Sequence, residues 1–205
     1  MTGTGARLPA ADGPHLCVTA SPLGALAVVW RRRQDGVCIC RIWLPREGRL
    51  PEQAFLWEAA PLRKASCAAV DAFAEQLLRV LQGEPVNLDR SLLALEGCSP
   101  FQRQVLIVES AIPRGSVSTY GAIATEIDRP GGARAVGRAL ATNPFPLAVP
   151  CHRAVRADGG LGGFQGGGPM KRALLELEGI RFTADGRVAA DCFHRGKLAA
   201  KAWPL

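Results

Sequence analysis

The sequence predicts an α/β N-terminal domain followed by a mainly α C-terminal domain with a helix-turn-helix. Three observations predict it. Two apolar runs rich in Val, Ile, Trp and Cys, residues 23–30 and 37–44, flank a segment ending in Asp35-Gly36, which is a hairpin signal. Val70, Phe73, Leu77, Leu78 and Leu81 then recur at helical spacing, so a helix packs across that small sheet. Beyond residue 98 the pattern changes to short helical stretches punctuated by Pro and Gly.

Taken in order, residues 1–14 form a small, polar leader and residues 15–84 the α/β domain. Arg31, Arg32 and Arg33 read as a solvated turn, and a third short strand is expected over 54–57. Gly83 stops the first helix, and 85–98 reads as a linker. The second domain, 99–190, opens with Ser99 as N-cap, Pro100 in the first turn and Gln102 three residues after the cap. Phe101, Val105, Val108 and Ile112 line one face of that helix, and Pro113-Arg114-Gly115 ends it. A second helix is expected over 120–127, a breaker over 128–132 and a third helix over 133–142. Two short helices joined by a Gly-containing turn make the helix-turn-helix. The third is built of small residues, with Arg134 and Arg138 projecting. That profile suits close approach to a nucleic-acid groove, or equally tight packing on a neighbouring helix. Asn143-Pro144-Phe145-Pro146 is a rigid bend, because proline neither continues a helix nor lets its predecessor do so. A buried strand-like run, 147–149, then delivers Pro150-Cys151-His152-Arg153. The glycine-rich stretch 158–168 reads as a loop whose backbone comes close to something. Pro169 opens a last helix ended by Gly179, and 181–189 forms a small hairpin around Asp185-Gly186. Residues 191–205 are a tail without an assigned role.

With 205 residues, 48% of them apolar, the chain has room for one large or two small domains with a sizeable core. No apolar run approaches the ~18 residues of a membrane span, and the N-terminus lacks the apolar centre of a signal peptide. Seven cysteines, an odd number, fit free thiols in a reducing compartment, so a cytoplasmic protein is expected. The formal charge is +7, and residues 99–205 carry most of it, with 14 Lys/Arg against 8 Asp/Glu. A basic half beside a nearly neutral one points to a polyanionic partner, nucleic acid first. The bland reading is a soluble basic surface.

A cysteine attacks as thiolate and needs a neighbour that takes its proton. Cys151 ends an apolar run and precedes a histidine, which places a thiol and an ionisable partner at a pocket floor. The other cysteines read as small buried hydrophobes. Cys38-Ile39-Cys40 lacks metal-site spacing even with His15 and Cys17 nearby, so no metal site is expected.

Pro150-Cys151-His152-Arg153, preceded by Asn143-Pro144 and followed by the glycine loop, resembles the O6-alkylguanine-DNA alkyltransferase family. The resemblance extends upstream through residues 115–124 and Arg134-Ala135-Val136-Gly137, and downstream through residues 174–179. It covers about Ser99 to Gly179 in order and at the family's spacings. It implies a ribonuclease H-like fold for the N-terminal domain and DNA repair by transfer of an alkyl group from O6-alkylguanine, or O4-alkylthymine, to Cys151. The damaged nucleotide is flipped out of duplex DNA first. Arg134, Ala135 and Arg138 of the recognition helix and Thr119 would meet the minor groove, with Arg134 filling the vacated space. Tyr120 would help turn the 3′ phosphate and donate a proton toward the guanine, and Asn143 is the hinge beside the site. His152, oriented by Glu178, would act as base through a water. Pro150, Ala154, Phe164, Gln165 and Gly166 would line the base pocket, the Cys151 and Ala154 carbonyls reading the amino group and the Gln165 amide meeting O6. The cysteine is consumed, no cofactor enters, and the protein works as a monomer with duplex DNA as partner. Phe164 stands where many members carry tyrosine, and Ala154 replaces a branched residue. Three rival readings remain. One is a non-catalytic damage-recognition protein of the same fold, which the presence of Cys151 opposes. Another is a helix-turn-helix regulator, which lacks its four-cysteine metal domain here. The third is an unrelated cysteine hydrolase, opposed by the lack of an oxyanion site.

Overall fold

The structure, a computed structural model, describes residues 13–198. Most of the expected leader and the end of the expected tail therefore lie outside the described residues. β1 (His15–Thr19) pairs antiparallel with β2 (Leu26–Arg33), and β2 with β3 (Gly36–Trp43). After a 3₁₀ turn at Glu52–Phe55 comes a miniature hairpin of β4 (Leu56–Trp57) and β5 (Ala60–Pro61). β6 (Arg63–Lys64) then joins β1 in parallel, giving the order β3-β2-β1-β6.

Leu26 to Trp30 of β2 are all buried because both faces of this strand are covered, which is why it reads as a continuous apolar run. Leu26, Val28 and Trp30 face Val70, Phe73 and Leu77 of α1 (Ala68–Leu81). Ala27 and Val29 face Leu16 and Ala54 on the other side. Each fully buried Val, Leu or Phe among them contributes ~1.5–3 kcal/mol. Gly83, at φ +84°, ends α1 as expected.

The sheet departs from expectation in three ways. Arg31, Arg32 and Arg33 belong to β2, not to the turn, which shortens to Gln34-Asp35 with Gly36 at φ +143°. Arg31 and Arg33 both pair with Glu96, which holds them extended. Within the third expected strand, only Leu56–Trp57 is extended. β1 and β6 were not expected from the sequence at all.

Residues 85–98 pack rather than dangle. Ala94 N–H donates to Ile39 O (2.9 Å), Arg90 Nε to Ala148 O (2.9 Å), and Leu88, Leu93 and Leu95 are buried. α2 (Pro100–Ser110) starts as predicted, Ser99 Oγ accepting from Gln102 N–H at 3.2 Å. β7 (Ser118–Thr119) leads into α3 (Tyr120–Glu126), with Thr119 Oγ1 capping it through Ala122 N–H. α4 (Ala133–Ala141) follows a turn. β8 (Ala154–Val155) pairs parallel with β7, and α5 (Gly167–Leu177) comes last. α5 begins two residues before Pro169, so two of the loop's glycines lie in its first turn. Residues 147–149 are buried but not a strand: Leu147 takes φ +71° and the chain turns, Pro146 bridging Val149. Residues 181–189 close as a hairpin, with Phe182 opposite Val188.

One buried cluster runs from Leu26 and Phe73 through Leu106 and Phe145 to Cys151. Two cross-links between the halves, Ile42 N–H to Pro144 O (2.7 Å) and Leu44 N–H to Gln165 Oε1 (2.9 Å), let the sheet buttress the segments around Cys151. The fold is α/β. Among the described residues, no helix is long and apolar enough to cross a membrane.

Candidate active site

The bend at 143–150 positions the cysteine. Asn143 is buried, its Oδ1 accepting from Phe145 N–H (2.9 Å) and its amide reaching Val149 O (3.4 Å), which locks the turn from both ends. Pro150 then starts a single 3₁₀ turn, Cys151–Arg153, placing Cys151 and His152 in succession, both buried.

His152 Nε2 lies 3.1 Å from Glu178 Oε1. A carboxylate can only accept, so Nε2 carries the proton and Nδ1 presents its lone pair. Among the described residues, Nδ1 has no hydrogen-bond partner. Arg153 grips the same carboxylate with two prongs, Nε at 2.8 Å and Nη2 at 2.7 Å, while its Nη1 donates to Ile112 O at 2.7 Å. Arg114 Nη1 stands 4.0 Å from the carboxylate. Burial alone would raise the Glu178 pKa, but the hydrogen bonds from His152 and Arg153 prevail and hold it down to about 2. Burial lowers the pKa of His152 against the pull of Glu178, so the imidazole is neutral and can act as a base. Burial pushes the Cys151 thiol up to about 12, opposed by a hydrogen bond from Asn143. The resting sulfur therefore keeps its proton, and any attack requires a base. A cleft of about 290 Å³ lined by Arg90, Arg114, Pro150, His152, Arg153 and Glu178 connects this dyad with the surface.

The glycine loop lies against His152 and Tyr120. Phe164 sets its ring edge-on to His152, centroids 6.2 Å apart. A Cβ on Gly162 would come within 2.5 Å of Tyr120 Oη, so the loop backbone lies directly on the tyrosine hydroxyl. Gly166 is buried beneath Met170, and a Cβ there would collide with its sulfur. Burial raises the Tyr120 pKa to about 12, with Glu109 and Cys151 adding to the shift, so its hydroxyl stays a proton donor.

α4 sorts its residues cleanly. Val136, Ala139 and Leu140 are buried, while Arg134, Ala135 and Arg138 share the exposed face, the two arginines one turn apart. The structure thus brings Cys151, His152, Glu178, Asn143, Tyr120 and Phe164 to one place and sets the arginines on an outer helix. Three residues are more committed than expected. Thr119 spends its hydroxyl on capping α3, Gln165 spends its side-chain oxygen on Leu44, and the Ala154 carbonyl already accepts from Lys171 Nζ.

Two buried charged residues escaped the sequence reading. Lys171 Nζ donates to Ala154 O (2.6 Å) and Gly163 O (3.4 Å), tying the strand after Cys151 to the glycine loop. Burial lowers its pKa to about 8, although Cys151 and Glu109 pull upward. Glu109 is fully buried, neither carboxyl oxygen makes a well-formed hydrogen bond among the described residues, and burial raises its pKa to about 8 against Lys171, Arg153 and the Ala154 backbone. A signal existed for both. Glu109 lies in helical phase with Val105 and Ile112, and Lys171 with Leu174 and Leu175, so each charge sits on an apolar stripe. Among the described residues, no three His, Cys, Asp or Glu side chains gather to hold a metal ion.

Residues 100–180 match the family described as 6-O-methylguanine DNA methyltransferase, DNA binding domain. The methylated-DNA–protein-cysteine methyltransferase of Methanothermobacter thermautotrophicus is 46% identical over 113 residues, 55% of this chain. The chain spans 62% of that relative's length. The crystal structure of Mycobacterium tuberculosis O6-methylguanine methyltransferase superposes with a TM-score of 0.61 at 33% identity, over 84% of this chain and 97% of that one. A crystal structure of Mycobacterium tuberculosis OGT in complex with DNA gives a TM-score of 0.60 at 33% identity, over 80% and 92%.

Proposed function

The chain belongs to the 6-O-methylguanine DNA methyltransferase family, and on that premise we propose that it repairs alkylated DNA by direct reversal. The alkyl group of O6-alkylguanine in duplex DNA, or of O4-alkylthymine, moves irreversibly to Cys151. The protein is a methylated-DNA–protein-cysteine S-methyltransferase that acts once per molecule. The observation that carries this reading is the buried thiol followed by a neutral histidine whose far nitrogen is held by a carboxylate.

The steps balance within the chain. The Cys151 proton passes through a water to His152 Nδ1, and Glu178 stabilises the resulting imidazolium. The sulfur attacks the alkyl carbon in line, the S–C bond forms, and the C–O6 bond breaks with its electron pair on oxygen. Tyr120, which keeps its proton at neutral pH, donates it to the departing guanine. It regains one, through water, from the imidazolium of His152, so guanine leaves neutral and both side chains are restored. A thioether has no easy hydrolytic exit, so the cysteine is not regenerated, and no cofactor takes part. Asn143 holds the turn beside the sulfur. Pro150, Ala154, Phe164, Gln165 and Gly166 form the base pocket, the carbonyls of Cys151 and Ala154 reading the guanine amino group, the latter with the lone pair that Lys171 leaves free, and the Gln165 amide meeting O6.

α3 and α4 act as the helix-turn-helix, in which α4 enters the minor groove. Arg134 fills the space of the flipped nucleotide, while Ala135, Arg138 and Thr119 contact the strands. The exposed small-and-basic face of α4 supports this placement. Residues 15–84 form a ribonuclease H-like unit, 85–98 the connection and 99–190 the DNA-binding and alkyltransferase unit. A sheet crossed by α1 supports the first assignment. The protein works as a monomer in the cytoplasm, which its seven free thiols support.

The test is stoichiometry. Protein mixed with excess duplex carrying O6-methylguanine should remove one lesion per molecule and then stop. Continued turnover, or no removal, overturns the proposal.

A further inference from the structure

The family match ends at residue 180, yet the chain after it grips both segments that frame the pocket. Residues 181–189 fold back as a hairpin, Thr183 N–H donating to Arg187 O (2.8 Å) and Ala189 N–H to Arg181 O (2.9 Å). Its second arm seizes the root of the glycine loop. Val188 N–H donates to Gly159 O (2.9 Å), and Arg187 Nη1 reaches both Asp158 O (2.9 Å) and the Asp158 carboxylate (3.2 Å). A few residues later the chain straddles Val117. Val117 N–H donates to Cys192 O (2.9 Å), and His194 N–H donates to Val117 O (2.8 Å). Val117 directly precedes β7, the strand that leads into Tyr120. Val117, Val155, Leu175, Ile180, Val188 and Cys192 close a separate buried cluster beneath these contacts, and Arg172 covers the Phe182 ring at 4.3 Å.

One C-terminal segment therefore holds the loop and the tyrosine that touch each other at Gly162 and Tyr120 Oη. We propose that residues 181–194 are a positioning clamp for the base pocket, fixing the glycine loop against Tyr120 by holding Asp158-Gly159 at one end and Val117 at the other. The assignment of that pocket to a flipped base rests on the function proposed above. The loop end of the clamp, at Asp158-Gly159, touches neither Cys151 nor His152, so loosening that end alone changes how well the pocket holds a base, while the Val117 end keeps the proton donor Tyr120 in place.

The test uses the full chain with Arg187→Ala and with Gly159→Ala. The first removes the grip on Asp158. The second sets a Cβ 3.1 Å from Val188 O at a residue whose φ of +82° disfavours side chains. Saturation kinetics with free O6-benzylguanine should show the half-saturating concentration rising roughly three- to tenfold, the effect of one or two net hydrogen bonds. The limiting rate should stay within about twofold of wild type. Arg187→Lys, which keeps a donor for Asp158, should recover most of the loss. Hydrogen exchange should quicken over 156–163 in both alanine variants, with β1, β2 and β3 unchanged. Unchanged exchange over 156–163, exchange rising equally in the sheet, or a fall in limiting rate at constant half-saturation would each overturn the clamp. A wild-type protein inert toward both methylated duplex and the free base removes the functional reading alone, and the exchange data still decide the clamp.

Discussion

Glu178→Gln separates the electrostatics of the site from its shape. The change is nearly isosteric, but the amide cannot satisfy two Arg153 donors and the His152 N–H together. Arg153, its side chain 15% exposed, is left facing a neutral group, and breaking a buried pair from one side is strongly destabilising. The Glu178 carboxyl is held at about 2 against an ordinary 4.5, a preference worth about 3 kcal/mol. Because the folded-state value lies below the unfolded one, that contribution is complete above about pH 4.5 and fades as the pH falls toward 2. The variant should therefore be about 3 kcal/mol less stable at pH 7, a drop in melting temperature of roughly 6–12 °C for a domain of this size. The deficit should shrink in acid between those two pH values. Urea unfolding of both proteins across that range measures it. A deficit that stays constant down to pH 2, or is absent at pH 7, would refute the reasoning.

The proposed acceptor, the arginine proposed to insert and the buried acid each have a direct test. Cys151→Ser should abolish alkyl transfer and leave affinity for duplex DNA within about twofold, because a hydroxyl is far less ionised than a thiol; a gel-shift titration beside a lesion-removal assay checks both halves. Arg134→Ala should slow single-turnover transfer from duplex DNA much more than transfer from free O6-benzylguanine, since flipping costs a few kcal/mol that the free base does not incur. Arg134→Lys should rescue in part, and equal losses on both substrates would remove the inserting role. Glu109→Gln should make the protein more stable than wild type at pH 8, by roughly 1–3 kcal/mol, because the buried carboxyl no longer has to ionise unpartnered. The folded-state pKa of Glu109 lies above 4.5, at about 8, so wild type loses stability as the pH rises between them and the gap should widen over that window. Thermal melts at stepped pH read this directly.

The helical half was largely legible in the sequence because its signals are local. The start of α2 is written in Ser99, Pro100 and Gln102, and the stop of α1 in Gly83. β1 and β6 were not legible, because a five-residue and a two-residue strand exist by pairing with distant partners and carry little pattern of their own. Residues 147–149 misled for a related reason. Apolar character reports burial, and it does not distinguish a strand from a turn in which Leu147 adopts positive φ. At the site, Cys151 and His152 stood out by their own neighbours in the chain, whereas Glu178 entered only through the resemblance to the alkyltransferase family; the structure brings His152 and Glu178 to 3.1 Å. Lys171 and Glu109 did not follow, since a charged residue within an apolar stripe is usually read as facing water. Arg31, Arg32 and Arg33 failed similarly: Glu96, far along the chain, is what keeps Arg31 and Arg33 extended in β2.

On the function proposed above, Cys151 and no other of the seven thiols receives the alkyl group. Protein incubated with duplex containing O6-methylguanine carrying a deuterated methyl group, then digested and sequenced by tandem mass spectrometry, tests it most directly. One labelled methyl per molecule is expected, on the peptide bearing Cys151 and located at its sulfur, with the other six cysteines unlabelled. Label on any other cysteine, or a lesion consumed with no label on the protein, would contradict it.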